Sequence, residues 1–501
     1  MLSESGIFAV ANLVNRAAGL LLLPLYTRWL SVADYGRYAL VISLMEVLSM
    51  LCGAGLMQAM TRLYFDYPEQ DPRRDQLVTT TLLVMLAMLV LFSLSAPLIA
   101  PPLALLLTGD HQYAPEIVAA LPSVPCTVLL DILVGYFMVL RRPWAVLFLA
   151  SAKAISLIAI NLLFLFAFDL GVAGVFAAQS LAFGAVAVGG SALVLWRLGV
   201  RFDAGMLRRL LRLGLPLVPS VVADAASSVI ERWIVNHLLG AAALGAWALA
   251  QRVAYTIQAF ISTPFAQAFL VRRLEVMESG GSQAALNRVL SGFLIVLGLA
   301  VFSVSLFGPE IVQLLAPRGF DEAVRILPLS ALCVALAAAN LHVEVGLLYA
   351  KRTGFISMIS VLSLCATLPA IWIGIGWFGL AGAPLVQSCM LIVRIAVTWR
   401  VNRRHGVAGI GTGWVTGFAA LLVLFLAGYL AMSFGTPNGL GWELPPHWGL
   451  AQTWQVVLVK LAGLLAITYM LFRSSLVPRE FKEITLGRAL GPGKRSRAGD
   501  A

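Results

Sequence analysis

Residues Ile7–Leu30 read IFAVANLVNRAAGLLLLPLYTRWL, an apolar run of 24 residues with one deep cation, Arg16. At about 1.5 Å per residue such a helix covers the roughly 30 Å hydrocarbon core of a bilayer. It has no basic leader and no small-residue cleavage site, and Asn12, Asn15 and Arg16 interrupt its apolar centre, so it reads as a retained helix and not a signal peptide. The rest of the chain has the same character. Of 501 residues, 60% are hydrophobic and 12% charged, and the mean hydropathy is +0.90. A soluble domain carries about 25% charged residues, so the chain is a polytopic membrane protein and a cytosolic or secreted enzyme is excluded. In a soluble chain a net charge of +11 would point to nucleic acid. Here the charge has first to be placed along the membrane normal, and no nucleic-acid partner is expected. The five cysteines, Cys52, Cys126, Cys333, Cys365 and Cys389, show no CxxC spacing, so they read as small core residues, with no disulfide framework and no zinc site. No P-loop occurs, and no cofactor, metal or catalytic constellation is expected.

Apolar runs broken by charge or turn residues predict an all-α fold of about fourteen transmembrane helices. They lie near 7–30, 37–62, 77–107, 116–140, 144–168, 172–197, 215–239, 244–270, 287–308, 326–350, 354–376, 379–400, 411–434 and 454–474. Pro97, Pro101 and Pro102 predict that the third run breaks before its end. With the N-terminus inside, 25 of the 35 Lys and Arg residues fall in inner loops and the tail and only four, Arg28, Arg37, Arg318 and Arg325, outside. Basic residues stay on the cytoplasmic side, so both termini are expected in the cytoplasm. From Phe202 to Leu213, Leu207, Leu210 and Leu211 alternate with Arg208, Arg209 and Arg212, which predicts an amphipathic helix on the inner membrane surface. The basic loops read chiefly as topology signals, with lipid head-group binding as the alternative.

Three matches recur at nearly constant separation. YGRYAL at Tyr35–Leu40 matches LGAWAL at Leu244–Leu249, offset 209; Arg141 and Arg142 match Lys351 and Arg352, offset 210; GVAGVFAAQS from Gly171 matches GLAGAPLVQS from Gly379, offset 208. They predict a duplicated six-helix unit. Six is even, so the copies are two parallel lobes related by an axis along the membrane normal. The expected organisation is an N-lobe at 1–200, an amphipathic linker and C-lobe at 201–405, two further C-terminal helices at 406–475, and a basic cytoplasmic tail at 476–501. Substrate is expected between the lobes.

Six basic residues remain inside helices, Arg16, Lys153, Arg232, Arg252, Arg394 and Lys460, with five acids, Glu46, Asp131, Asp224, Glu231 and Glu344. Each such charge costs roughly 2.5–3.5 kcal/mol at the centre of a membrane helix, which directs these residues toward a wet cavity or one another. Ser220, Asp224, Ser227 and Glu231 form one helical stripe, Gln251, Tyr255, Gln258 and Ser262 a second, and Gln387, Arg394 and Thr398 a sparser third. Competing readings are that Lys460 snorkels outward, that Glu231 and Arg232 form structural pairs, and that His342 and Asn340 are packing groups.

The opening NLVNRAAGLLLLPLYTRWLSVADYGRYAL, the restart RLGLPLVPSVVADAASSVIERWIVNHLLGAAALGAWALAQRV and the fourteen spans together resemble the Wzx-type oligosaccharide flippases, of the superfamily that holds the MATE exporters and the lipid II flippase MurJ. The resemblance covers essentially the whole chain. It implies a bacterial inner-membrane protein, not an enzyme, that moves a polyprenyl-pyrophosphate-linked glycan from the inner to the outer leaflet by alternating access, with polysaccharide polymerase and assembly proteins as partners beside membrane lipid. Pyrophosphate calls for guanidinium forks. The expected substrate-binding residues are therefore Arg16, Lys153, Arg232, Arg252 and Arg394, with Gln251, Tyr255 and Gln258 toward sugar. Asp131, Asp224, Glu231 and Glu344 are the expected proton or sodium couplers. The alternatives are a MATE-like cation-coupled multidrug exporter, which calls for an acidic cavity, a MurJ-like lipid II flippase, and a non-transporting scaffold whose internal charges pair.

Overall fold

The computed structural model describes residues 2–167, 170–266, 269, 283–316, 319–350, 352–404, 414–434 and 450–473. The expected loop arginines Arg272 and Arg273, Lys351, the long loop at 435–449 and the tail beyond 473 lie outside them. Among the described residues the structure is helical, without strands. The helices are α1 Leu2–Trp29, α2 Val32–Gly53, α3 Leu56–Tyr64, α4 Pro72–Thr108, α5 Ala114–Ala120, α6 Ser123–Val139, α7 Pro143–Ala167, α8 Gly171–Leu198 and α9 Ala204–Gly214. They continue with α10 Val218–Ile257, α11 Gln283–Leu306, α12 Gly308–Leu315, α13 Asp321–Tyr349, α14 Thr353–Phe378, α15 Gly382–Arg404, α16 Val415–Phe434 and α17 Leu450–Arg473. Among the described residues ten segments are long and apolar enough to cross a membrane. Two of them, Ala225–Ala266 and Gly354–Arg404, hold two helices each, and Val415–Leu430 and Lys460–Leu471 are shorter apolar helices, which gives the fourteen.

Local chemistry sets the helix starts. Ser31 Oγ accepts from Asp34 N at 3.1 Å to cap α2, and Asp71 caps α4 ahead of Pro72, where the missing N–H is harmless. Four details differ from the sequence reading. The second span breaks after Gly53, because Ala54 and Gly55 both adopt left-handed backbone, φ 45° and 68°. The third does not break. α4 runs 37 residues through Pro97, Pro101 and Pro102, since continuing the helix leaves only three carbonyls without their usual partner, whereas ending it in hydrocarbon would leave four more. The two arms of α10 are joined by Gly240 alone, φ 86° and ψ 173°, with no loop. Finally, α9 does not lay its apolar face on lipid. Met206 and Leu210 are buried in the core beside Leu63 and Leu77, and the Thr79 hydroxyl donates to Arg201 O at 2.7 Å.

The chain divides into two compact units. The first is Met1–Ala248 with Leu314–Phe320 and Ile371–Leu380; the second is Leu249–Gln313, Asp321–Ala370 and Ala381–Ala501. The core of the first includes Leu82, Met85, Leu129, Leu133 and Ala182. Here α2 crosses α10 at a point where a Cβ on Gly36 would lie 1.9 Å from Ala241 O and one on Gly245 2.0 Å from Val32 O. These two glycines are the equivalents predicted by the 209-residue offset, so the two repeats meet at matching positions. Gly171 and Gly379, matched at offset 208, likewise share left-handed backbone, φ 56° and 58°.

In the second unit the core gathers Phe293, Leu297, Ala331, Ala335 and Leu421. α16 lies directly on α11, where a Cβ on Gly417 would meet Ser291 O at 2.5 Å and one on Gly298 would meet Leu421 Cα at 2.8 Å. α17 is fastened by Lys460, whose Nζ donates to Glu310 Oε1 at 2.6 Å and to Leu306 O at 2.9 Å. Lys460 therefore pairs within the protein instead of reaching outward to the interface. Gly417→Val should lower stability by about 1–3 kcal/mol through overpacking. Gly463→Val, at a position with nothing within 4 Å, should change it by less than about 0.5 kcal/mol; the melting temperatures of the two purified variants in one detergent check the contrast.

Candidate functional site

A cavity of about 460 Å³ opens in the first unit where the second span breaks. Two successive left-handed residues turn the chain between α2 and α3, and the turn is wedged against the end of α9, where a Cβ on Gly55 would lie 2.6 Å from Gly214 O. Glu46 and Ser49 of α2, Gln58 of α3, Thr127 and Asp131 of α6, and Gln179 and Phe183 of α8 line the space. Asp131 is flanked along α6 by buried Leu129, Leu130, Ile132 and Leu133, so one carboxylate is presented from an apolar helix. Both Glu46 and Asp131 are exposed to the cavity. Lys153 Nζ stands 4.6 Å from the centroid of the Phe183 ring and interacts electrostatically with Asp131. The wall is mostly apolar, with Met45, Met57, Val128 and Phe183 among its residues, and the two carboxylates stand within it; Lys153 lies behind Phe183.

The second unit treats its charges differently. Arg394 Nη2 on α15 donates to Glu344 Oε1 on α13 and to Ser360 Oγ on α14, both at 2.8 Å, and Asn340 Nδ2 donates to the same Glu344 oxygen at 2.9 Å. Cys333 Sγ reaches Gln387 Oε1 at 3.5 Å. Further along, Asn402 Nδ2 donates to Val343 O at 2.9 Å, across a spot where a Cβ on Gly346 would come within 2.7 Å of Asn402 Oδ1. The result is a polar seam between α13 and α15 that carries one compensated ion pair, both partners about four-fifths buried, at 22% and 17% exposed.

The expected site residues thus separate into groups. Lys153 and Asp131 come together in the first unit, and Arg394 and Glu344 in the second. Arg232 donates from Nη1 to Ala39 O at 2.9 Å, tying α10 to α2. Arg252, Tyr255 and Gln258 are exposed along the second arm of α10, with Gln251 half-buried. The stripe they begin does not reach Ser262. A π-helical turn at Gln258–Ser262 inserts an extra residue into the helical register, and Ser262 is buried. Glu231 is half-buried, while the side chains of Arg16 and Asp224 lie outside the described residues.

Gln58 and Gln179 carry no role in the sequence reading, and Glu46 enters it only as one of the intramembrane acids, although the repeat marks two of the three. Adding 209 to Glu46 gives Tyr255, adding 209 to Asp131 gives Asn340, and adding 208 to Gln179 gives Gln387. These three lining positions are polar in the second copy as well, whereas Ser123 and Thr127 correspond to Leu332 and Leu336.

Residues 1–271 match the family described as polysaccharide biosynthesis protein. The chain belongs to this family. No curated protein matches it in sequence. Among solved structures, this polysaccharide biosynthesis protein is similar to the lipid II flippase MurJ in an inward closed conformation, with TM-score 0.67 at 15% identity over 92% of this chain and 98% of that one. An inward-facing multidrug resistance MATE family transporter gives TM-score 0.63 at 14% identity over 79% and 94%. The MATE transporter VcmN of Vibrio cholerae gives 0.55 at 18% over 81% and 98%. The resemblance drawn from the opening and restart segments holds at the level of family and fold.

Removing one member of the Glu344–Arg394 pair strands the other in a largely buried place. Glu344→Gln and Arg394→Met should each destabilise by about 3–5 kcal/mol, and the double variant by less than their sum, with a coupling of about 1–3 kcal/mol. A double-mutant cycle on reversible unfolding checks this.

Proposed function

We propose that this polysaccharide biosynthesis protein is a flippase of the bacterial cytoplasmic membrane that carries polyprenyl-pyrophosphate-linked oligosaccharide units from the inner to the outer leaflet by alternating access, with both termini cytoplasmic. The observation that carries the reading is the exposed face of Arg252, Tyr255 and Gln258 on a membrane-spanning helix. A guanidinium held against lipid is costly, so this face belongs to a wet path, and a planar cation beside an aromatic ring and an amide suits a pyrophosphate followed by sugars. The task is binding and reorientation, without bond cleavage.

In this reading the lobes are residues 1–200 and 201–405, with 406–475 and the tail appended. Arg16 and Arg252 meet the pyrophosphate with Lys153, while Arg232 and Arg394 join only after giving up Ala39 O and Glu344. Asp131, with Glu46 beside it in the same cavity, is the leading coupling group, ahead of Asp224, Glu231 and Glu344. The crossing of Gly36 and Gly245 and the Arg232–Ala39 bond lie near the start of α2 and the elbow of α10; with cytoplasmic termini this is the outward side, and in this reading both contacts part when the outward path opens. Polymerase and assembly proteins receive the delivered glycan.

The acidic cavity also favours a second reading. Two carboxylates lining one space, with no arginine among the described residues of its wall, suit a cation-coupled exporter of cationic compounds. Depleting the protein in its host and measuring carrier-linked oligosaccharide on each leaflet, surface glycan and drug sensitivity separates the two. The flippase reading expects carrier-linked units to accumulate on the inner leaflet, with rescue by wild type, little rescue by Arg252→Ala and partial rescue by Arg252→Lys. Normal surface glycan with raised sensitivity to cationic drugs would sink it and favour export, and lipid II as the accumulating species would redirect it to peptidoglycan. Asp131→Asn should bind carrier lipid normally yet transport slowly, which a binding assay beside a leaflet assay would distinguish.

A further inference from the structure

Five arginines, Arg197, Arg201, Arg208, Arg209 and Arg212, are exposed within sixteen residues of chain, on and just before α9. The only acid in that stretch is Asp203, and its carboxylate caps α9 by accepting from Gly205 N at 2.7 Å and Met206 N at 3.3 Å. Among the described residues no carboxylate pairs with Arg208, Arg209 or Arg212, and Arg209 only touches Tyr67 OH, at 3.2 Å. Helical geometry puts Arg208 and Arg212 one turn apart with Arg209 about 100° round, opposite the buried Met206 and Leu210. The guanidinium face is therefore fixed in place by the core, and no carboxylate among the described residues compensates its charge.

The depth of this face identifies its occupant. α9 is joined to α4 at Thr79 and Thr80, whose hydroxyls bond Arg201 O at 2.7 Å and Asp203 N at 3.1 Å. α4 carries charge only near its start, at Arg73, Arg74 and Asp75, and has no charged residue from Gln76 to Thr108, so it enters the hydrocarbon close to Leu77. Thr79 and Thr80 are about 11 Å from the start of α4, just past Leu77, and so lie at the hydrocarbon boundary. Trp196, Phe65 and Phe202, exposed by 80%, 64% and 58%, border the same region, as aromatic side chains do at the head-group level. Phosphates with compact negative charge stand at that depth, and guanidinium forks match them.

We infer that the arginine face of α9 binds anionic phospholipid head groups of the adjoining leaflet. The site stands whatever the chain transports. It also bears on the cavity, because the last residue of α9, Gly214, is in backbone contact with Ala54 and Gly55 at the break in the second span. A lipid-held α9 fixes that wall.

The test uses the full chain in mild detergent with an equimolar mixture of phosphatidylglycerol and phosphatidylethanolamine, and native mass spectrometry to count the lipids retained. Wild type should keep phosphatidylglycerol in preference. Each arginine near the surface contributes about fivefold, so Arg208→Gln/Arg209→Gln/Arg212→Gln should weaken retention by roughly a hundredfold. Replacing the same three with Lys should restore most of it. Arg400→Gln/Arg403→Gln/Arg404→Gln, in another basic stretch, should retain as wild type does. Equal melting temperatures without added lipid establish that the variants are folded, and added phosphatidylglycerol should raise the melting temperature of wild type and not of the Gln triple on α9. Unchanged retention in that triple would overturn the proposal and leave the face to a soluble acidic partner. Equal loss in the Arg400 set would overturn it as unspecific charge.

Discussion

Two helices surrounded by hydrocarbon feel no hydrophobic force toward each other, because lipid tails are as apolar as leucine; they stay together only where backbones approach closely or polar groups bond across. This fold meets that constraint with glycine backbone. Gly36 rests on Ala241 and Gly245, Gly55 on Gly214, and Gly417 on Ser291, and in each pair a neighbouring main-chain atom occupies the place of a side chain. Polar links are added at the same kinds of crossing, from Arg232 to Ala39 O and from Lys460 to Glu310 and Leu306 O. The cavity depends on one of these crossings, since the turn that opens it is held by Gly214.

The two copies of the repeat share a frame and have diverged in charge. In the first, Glu46 and Asp131 line an open space, and the nearby cation, Lys153, is partly engaged with the Phe183 ring. At the corresponding places the second copy carries Tyr255 and Asn340, and the acid it does hold, Glu344, is bonded to Arg394 and Asn340. A carboxylate in a wet cavity can exchange protons or meet a cation. One bound to a guanidinium and an amide in a half-dry seam gives up its partners only at high cost. The two halves thus hold their carboxylates in different surroundings, a cavity wall in one and an ion-paired seam in the other.

Much of this was legible in the sequence, for physical reasons that can be named. Span number followed from apolar length, because a bilayer tolerates no other solution, and the duplication followed from three matches, one of which is the Gly36 and Gly245 pair that proves to be a contact. Pairing was not legible. Arg394 and Glu344 lie 50 residues apart on different helices, and nothing in either stripe indicates that they face each other. The break after Gly53 was hidden because Ala54, an ordinary helix former, takes left-handed backbone where the chain packs closely on Gly214. α9 shows the limit of amphipathic patterning, since a leucine stripe looks the same whether it faces lipid or protein. The π-helical turn at Gln258–Ser262 left no local signal, so a stripe read at constant pitch ran past its true end.

The connection through Gly240 has a mechanical meaning. Its backbone, φ 86° and ψ 173°, lies in a region that essentially only glycine enters, and it is the whole of the link. A loop of several residues absorbs displacement as slack, losing the direction of a push in its own flexibility. A one-residue elbow has no length in which to lose it. The arms can swing about Gly240, but neither can slide along its axis without carrying the other, and an inserted residue would turn every later side chain of the second arm by about 100°. The angle between the two arms of α10 is therefore set by a single pair of dihedral angles.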